Sequence, residues 1–209
     1  MIAASRRSFL VATILIVVLS ATVHARIVRY QTAIRSLANG SATFRTVDAI
    51  PARDEANPAR VFTGGFYSNQ FQIGTTVPGV TSKNREDGIL AALTNDPERE
   101  TWETDWLLTV DCEGGDAVID DIAMGPDGLL VVVGTFENLA QFEREGQNPV
   151  VLNGNGLTSF IALADIARGT WVRAQVAPEM VVRSVAVDGE GTIFVTGPGS
   201  LARSYSASL

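Results

Sequence analysis

Apolar and polar side chains alternate through short stretches of this chain and then stop at glycine, proline, aspartate or asparagine, with no long run of helical periodicity. From Val118 to Met124 a strand would place Val118, Asp120, Ile122 and Met124 on one face and Ile119, Asp121 and Ala123 on the other. A Gly125-Pro126-Asp127-Gly128 turn follows. Leu129 to Phe136 is then apolar on both faces, as suits a strand covered on both sides by other sheets. The same strand and turn recur. "MGPDGLLVVVG", Met124 to Gly134, aligns with "VDGEGTIFVTG", Val187 to Gly197, at an offset of 197 − 134 = 63. An earlier copy, "NPARVFTGGF", sets Gly64 against Gly134 at an offset of 134 − 64 = 70.

Two further segments repeat in step. "DGILAALTND", Asp87 to Asp96, matches "TSFIALADIA", Thr158 to Ala167, and "DWLLTV", Asp105 to Val110, matches "TWVRAQV", Thr170 to Val176, which aligns Trp106 with Trp171. "RIVRYQTA", Arg26 to Ala33, echoes the last of these and reads as the final strand of an earlier unit. Each unit thus offers four strands, A to D, with a long excursion between B and C that carries "NQFQIG" once and "AQFERE" once. Four antiparallel strands repeated at a steady period predict an all-β chain of β-propeller-like blades. The repeat domain spans residues 26–209, in units of approximately 44–110, 117–176 and a partial 181–209. Only strands A and B of the third unit are legible, so the expectation is an incomplete propeller, with a β-sandwich as the alternative. The glycine after strand B would let the chain bend or approach another backbone closely. "GPDG", "DGEG" (Asp188 to Gly191) and "NGNG" (Asn153 to Gly156) read as turns.

Residues 1–25 have the parts of an export signal: Arg6 and Arg7, an apolar run from Phe9 to Leu19, and modest side chains before a cleavage site between Ala25 and Arg26. The run is short for a bilayer span, which takes ~20 residues. "SRRSFL", Ser5 to Leu10, resembles the twin-arginine signal and departs from it only at Val11, where that pattern has lysine. The resemblance implies folding before export; an ordinary Sec signal is the other route. Either places the protein in the periplasm or outside the cell, with no span after cleavage, whereas an uncleaved signal would anchor it in the membrane.

"FIALADIARGTWVRAQ" and "VAVDGEGTIFVTG" resemble the bacterial exported β-propeller repeats called SBBP, over Trp102 to Gly197 most closely and over Arg26 to Leu93 more loosely. That resemblance implies a fold and an exported setting and attaches no activity.

Charge narrows the partners. The chain carries 16 basic and 23 acidic residues, and loss of Arg6 and Arg7 with the signal would leave 14 − 23 = −9. Such a surface repels phosphate backbones, so no nucleic-acid partner is expected. The only histidine, His24, would leave with the signal, and Cys112 is the only cysteine, so the mature chain has no Ser-His-Asp triad, histidine metal site or internal disulfide.

Three groups of residues remain as candidates. Asp111, Glu113 and Asp116 lie in "DCEGGDAVIDD", where carboxylates on a glycine-rich loop could hold Ca²⁺, although the spacing is not that of an EF-hand. Asp120 and Asp121 lie on strand A, the channel-lining strand of a blade, where they could meet a ligand. Arg183 and Ser184 occupy the same places in the next unit, and a salt bridge between blades accounts for these residues equally. Trp106 and Trp171 suit blade packing better than stacking on a sugar or quinone. The expected function is an exported, non-enzymatic module that binds a protein or glycan. The alternative is a propeller enzyme, such as a polysaccharide lyase, a glycoside hydrolase or a quinoprotein-like oxidoreductase. An open edge at Ile193, Phe194 and Val195, which cannot all be buried in a truncated propeller, would favour self-association.

Overall fold

A computed structural model describes residues 34–51, 58–73, 79–82, 85–96, 98–99, 101–144, 146–177, 181–198 and 203–205. The signal segment expected at 1–25, the cleavage expected between Ala25 and Arg26, and the strand expected at 26–33 lie outside the described residues. The described residues form twelve strands and no helix. Among the described residues, therefore, no helix is long and apolar enough to cross a membrane.

The strands fall into three antiparallel meanders. The first comprises β1 (Ile34–Ile50), β2 (Arg60–Ile73), β4 (Asp87–Asp96) and β5 (Thr101–Glu113), with the short β3 (Val80–Thr81) paired to β2. The second runs through β6 (Ala117–Met124), β7 (Leu129–Phe142), β8 (Val150–Asp165) and β9 (Thr170–Val176). The third holds β10 (Ser184–Val187), β11 (Ile193–Thr196) and β12 (Arg203–Tyr205). The end of β5 also pairs with the end of β7, Val110 with Phe142 through Glu113 with Leu139. This joins the first two meanders into one nine-stranded, open sheet. The excursions expected between B and C are mostly continued strand: Leu139 to Phe142 pair with Val150 to Asn153. "NGNG" is accordingly part of β8, where three residues bulge opposite Asn138, and not a turn. The third meander adds a strand, β12, beyond the two that were legible.

Alternation along each strand divides the apolar residues between two faces, and the meanders stack through those faces. Tyr67, Phe71, Ile73, Ile89, Ala91 and Leu93 form a cluster on one face of the first meander. On its other face Phe62, Leu90, Ala92 and Leu108 pack against Leu130, Val132, Phe160 and Ala162 of the second. Val131, Val133, Ile161 and Leu163 then meet Val182, Val185, Ile193 and Val195 of the third. β7 is apolar from Leu129 to Val133 because both of its faces are covered there, and each such buried aliphatic side chain contributes roughly 1.5–3 kcal/mol. On β11, Ile193 and Val195 are buried while Phe194 is 40% exposed.

The face assignments correct the alignment of the first unit by one residue. A Cβ on Gly65, Gly134 or Gly197 would overlap the carbonyl oxygen of Thr43, Val118 or Val181, respectively. Gly65, and not Gly64, is therefore the counterpart of Gly134. Each of those carbonyls lies two residues before Arg45, Asp120 or Arg183. In β1 and β6 the ladder slips at that residue, between Phe44 and Thr46 and between Ile119 and Asp121. The glycine is required because a bulge brings the opposite backbone inward. Gly134→Ala is expected to cost about 1–3 kcal/mol by forcing that backbone apart. Gly189→Ala, where a Cβ meets nothing within 4 Å, should stay within about 0.5 kcal/mol. Urea denaturation of the two variants checks the contrast.

The tryptophans are not equivalent either. β5 bulges at Asp105 and β9 bulges at Val172, and matching the bulges sets Trp171 against Thr104 and Trp106 against Arg173. The two indoles instead enter one interface from opposite meanders. Trp171 Nε1 donates to the Thr109 carbonyl of the first meander at 2.9 Å, and Trp106 Nε1 donates to the Ile166 carbonyl of the second at 3.2 Å.

Candidate functional site

The leading strands of the three meanders carry one four-residue pattern, an apolar residue, two polar residues and a second apolar residue: Phe44-Arg45-Thr46-Val47, Ile119-Asp120-Asp121-Ile122 and Val182-Arg183-Ser184-Val185. The two polar positions converge across the strands, because a bulge at Arg45 and at Asp120 turns the side chain out of the regular alternation.

At the first polar position, Arg45 Nη1 donates to Asp120 Oδ1 at 2.7 Å from one side. Arg183 Nη1 donates to both Asp120 oxygens at 2.7 Å from the other. Asp120's side chain is only 5% exposed, whereas those of Arg45 and Arg183 are 40% and 39% exposed. Arg45 also lies over the Phe66 ring, 5.2 Å from its centroid. At the second polar position, the Asp121 carboxylate accepts four bonds. Thr46 Oγ1 and the Ile122 N–H donate to Oδ1 at 2.7 and 3.0 Å, and Ser184 Oγ and the Val185 N–H donate to Oδ2 at 2.7 and 3.0 Å. One carboxylate thereby ties all three meanders together. Asp48 Oδ2 adds a link by accepting the Met124 N–H at 2.9 Å.

Three of the residues read from sequence, Asp120, Asp121 and Arg183, therefore belong to one constellation. Arg45, Thr46 and Ser184 complete it. Arg45 and Thr46 were the ones missed, and the signal that could have found them was in the sequence: "FRTV" aligns with "IDDI" and "VRSV" once the strand-A pattern is followed into the first unit.

The acidic stretch before β6 is not assembled in the same way. Asp111 is a buried strand residue of β5 opposite Gln141, so it is not on a solvated loop. Glu113 is exposed, and Asp116 Oδ1 accepts the Glu86 N–H at 3.2 Å. Among the described residues no three His, Cys, Asp or Glu side chains are grouped as a metal would need. Nearby, burial pushes the Tyr67 phenol well above its ordinary pKa, and the charges of Asp87 and then Asp111 add to the shift. Burial likewise raises the Cys112 thiol, which donates to the Glu137 carbonyl at 3.0 Å. Such a thiol is a poor nucleophile at neutral pH. A narrow cleft between the turns of the second and third meanders, lined by Pro126, Leu129, Leu163, Val187 and Ile193, has room for about one water.

No protein-family model, curated protein or solved structure matches the chain.

Proposed function

We propose that this chain is an exported, non-enzymatic repeat module of the β-propeller type, which engages a glycan or protein where its leading strands β1, β6 and β10 converge. The observation that carries this reading is the second meander: both of its faces are covered by neighbouring meanders, whereas each sheet of a two-sheet sandwich keeps one face toward solvent. Stacking on both faces is how blades pack around an axis, with the leading strand of each blade innermost.

The same constellation favours binding over turnover. Asp120 and Asp121, the carboxylates where the three leading strands converge, are engaged by arginine, hydroxyl and backbone donors, and a general acid or base must instead reach a substrate proton. Export in the manner of the SBBP repeats gives the module an extracellular or periplasmic setting.

The test uses protein recovered from the exported fraction, whose N-terminus should be Arg26. It is incubated with immobilised neutral and acidic polysaccharides. The expected result is saturable retention on at least one of them with no change in polymer length. Depolymerisation that disappears in Asp120→Asn would replace this reading with an enzymatic one, and absence of retention on every polysaccharide would remove the glycan reading.

A further inference from the structure

We infer that the outer face of the third meander is an interface for a second copy of this chain, met about a two-fold axis. One position recurs three residues before each required glycine: Phe62 before Gly65, Val131 before Gly134 and Phe194 before Gly197. Phe62 is buried in the cluster shared by the first and second meanders, and Val131 in the one shared by the second and third. Phe194 is 40% exposed. The residue just before each glycine behaves alike. A Cβ on Gly64 would meet Ile119 of the second meander, Val133 is buried against the third, and Thr196 is exposed. The face by which the first two meanders cover the next one is thus repeated in the third, where it stands open.

The remainder of that face has the same build. Ala186, Phe194 and Ser204 form one row across β10, β11 and β12, as Ala123, Val131 and Leu163 do across β6, β7 and β8. In the second meander the row packs against the third, whereas in the third all three residues are exposed. What fits such a face is another sheet laid on it, in the way the meanders lie on one another. Ala186, Phe194, Thr196 and Ser204 carry no charge, so two copies of the face can meet without like-charge contact although the chain as a whole carries −7.

The symmetry follows from what the second copy has to offer. A head-to-tail contact would use the opposite face of its first meander, the counterpart of the faces by which the second and third meanders receive the one before. There Val61, Thr63, Ile89 and Ala91 are already buried. The open face therefore meets its own like, and pairing stops at two copies. Strands of four, four and three residues present about 200 Å² of sheet. A stable complex buries ~800 Å² on each partner, so this dimer is a weak one that forms as concentration rises.

The test is sedimentation equilibrium of the chain as isolated, from about 10 μM to about 1 mM, the range in which weak complexes form. The average mass should rise toward two copies and level off there. Phe194→Ser should weaken association about tenfold or more, because each copy loses an aromatic side chain from the contact. Ala186→Asp, in the same row, should do likewise by setting like charges against each other. Phe194→Leu should keep most of the association. Both altered residues are exposed, so urea midpoints equal to that of the parent chain verify that Phe194→Ser and Ala186→Asp are folded. All variants are compared in the same form of the chain, so association through any other segment would survive both changes. Such survival overturns the inference. A mass that climbs past two copies without levelling overturns it in favour of edge or head-to-tail pairing. A chain that stays single at every concentration also overturns it and leaves the face to a different partner.

Discussion

Asp121→Ala should lower the stability of this chain by about 3 kcal/mol, more than any other single change at the convergence of β1, β6 and β10. The carboxylate accepts two hydroxyls and two backbone N–H groups, drawn from all three meanders. Removing it leaves the amides of the buried residues Ile122 and Val185 without that acceptor, so the desolvation cost is no longer offset. Asp121→Asn keeps one oxygen acceptor and should lose less. Asp120→Ala should also lose less, because Arg45 and Arg183 are already partly hydrated and an ion pair with exposed partners is worth about 0–1 kcal/mol. Urea midpoints of the three variants measure the order. An Asp121→Ala loss no larger than that of Asp120→Ala would show that the second polar position does not tie the meanders together.

The strands and their antiparallel order were legible because the chain marks them twice, by alternation and by repetition. Val118 to Met124 was read from alternation and Leu129 to Phe136 from a run apolar on both faces, and they appear as β6 and the first part of β7. What went wrong went wrong by small register errors. Two adjacent glycines, Gly64 and Gly65, offered two alignments differing by one residue, and a one-residue slip in a strand exchanges its faces. The correct choice depends on which glycine faces the Thr43 carbonyl, a contact between segments that a linear pattern does not reveal. The tryptophans were matched for a similar reason: Trp106 follows the bulge at Asp105 whereas Trp171 precedes the one at Val172, a difference that only the strand pairing reveals. The pairing of β5 with the far end of β7 was also hidden, since it joins two repeat units through a stretch that resembles a loop in composition.

The site was read in part. Asp120, Asp121 and Arg183 were found because they interrupt apolar strands with charge. Asp111 shows the limit of that signal: a charged residue in a glycine-rich stretch looks solvated, yet strand β5 continues through it and buries it. Burial of a charge is decided by packing from other segments, and composition around the residue does not report it.

Trp171→Ala should produce the largest loss among core substitutions, about 3–5 kcal/mol. The indole is 1% exposed, contacts Phe142 edge-on at 5.2 Å between ring centroids, and donates to the Thr109 carbonyl of the first meander. Alanine would leave a cavity at the interface of the first two meanders and remove a donor from a carbonyl there. Val172→Ala, one residue away on the outward side of the bulge, should change stability by no more than about 0.5 kcal/mol. Trp106→Ala should fall between them, since its indole is only half-buried although it enters the same interface. Denaturant unfolding followed by the combined fluorescence of Trp102 and Trp106, the two tryptophans left in the Trp171→Ala variant, reads the consequence directly. A lower midpoint with a single transition is the expected result, because the first and second meanders also share the β5 to β7 ladder. Two separated transitions would instead mean that Trp171 is what couples the meanders, and that the ladder alone cannot make them unfold as one.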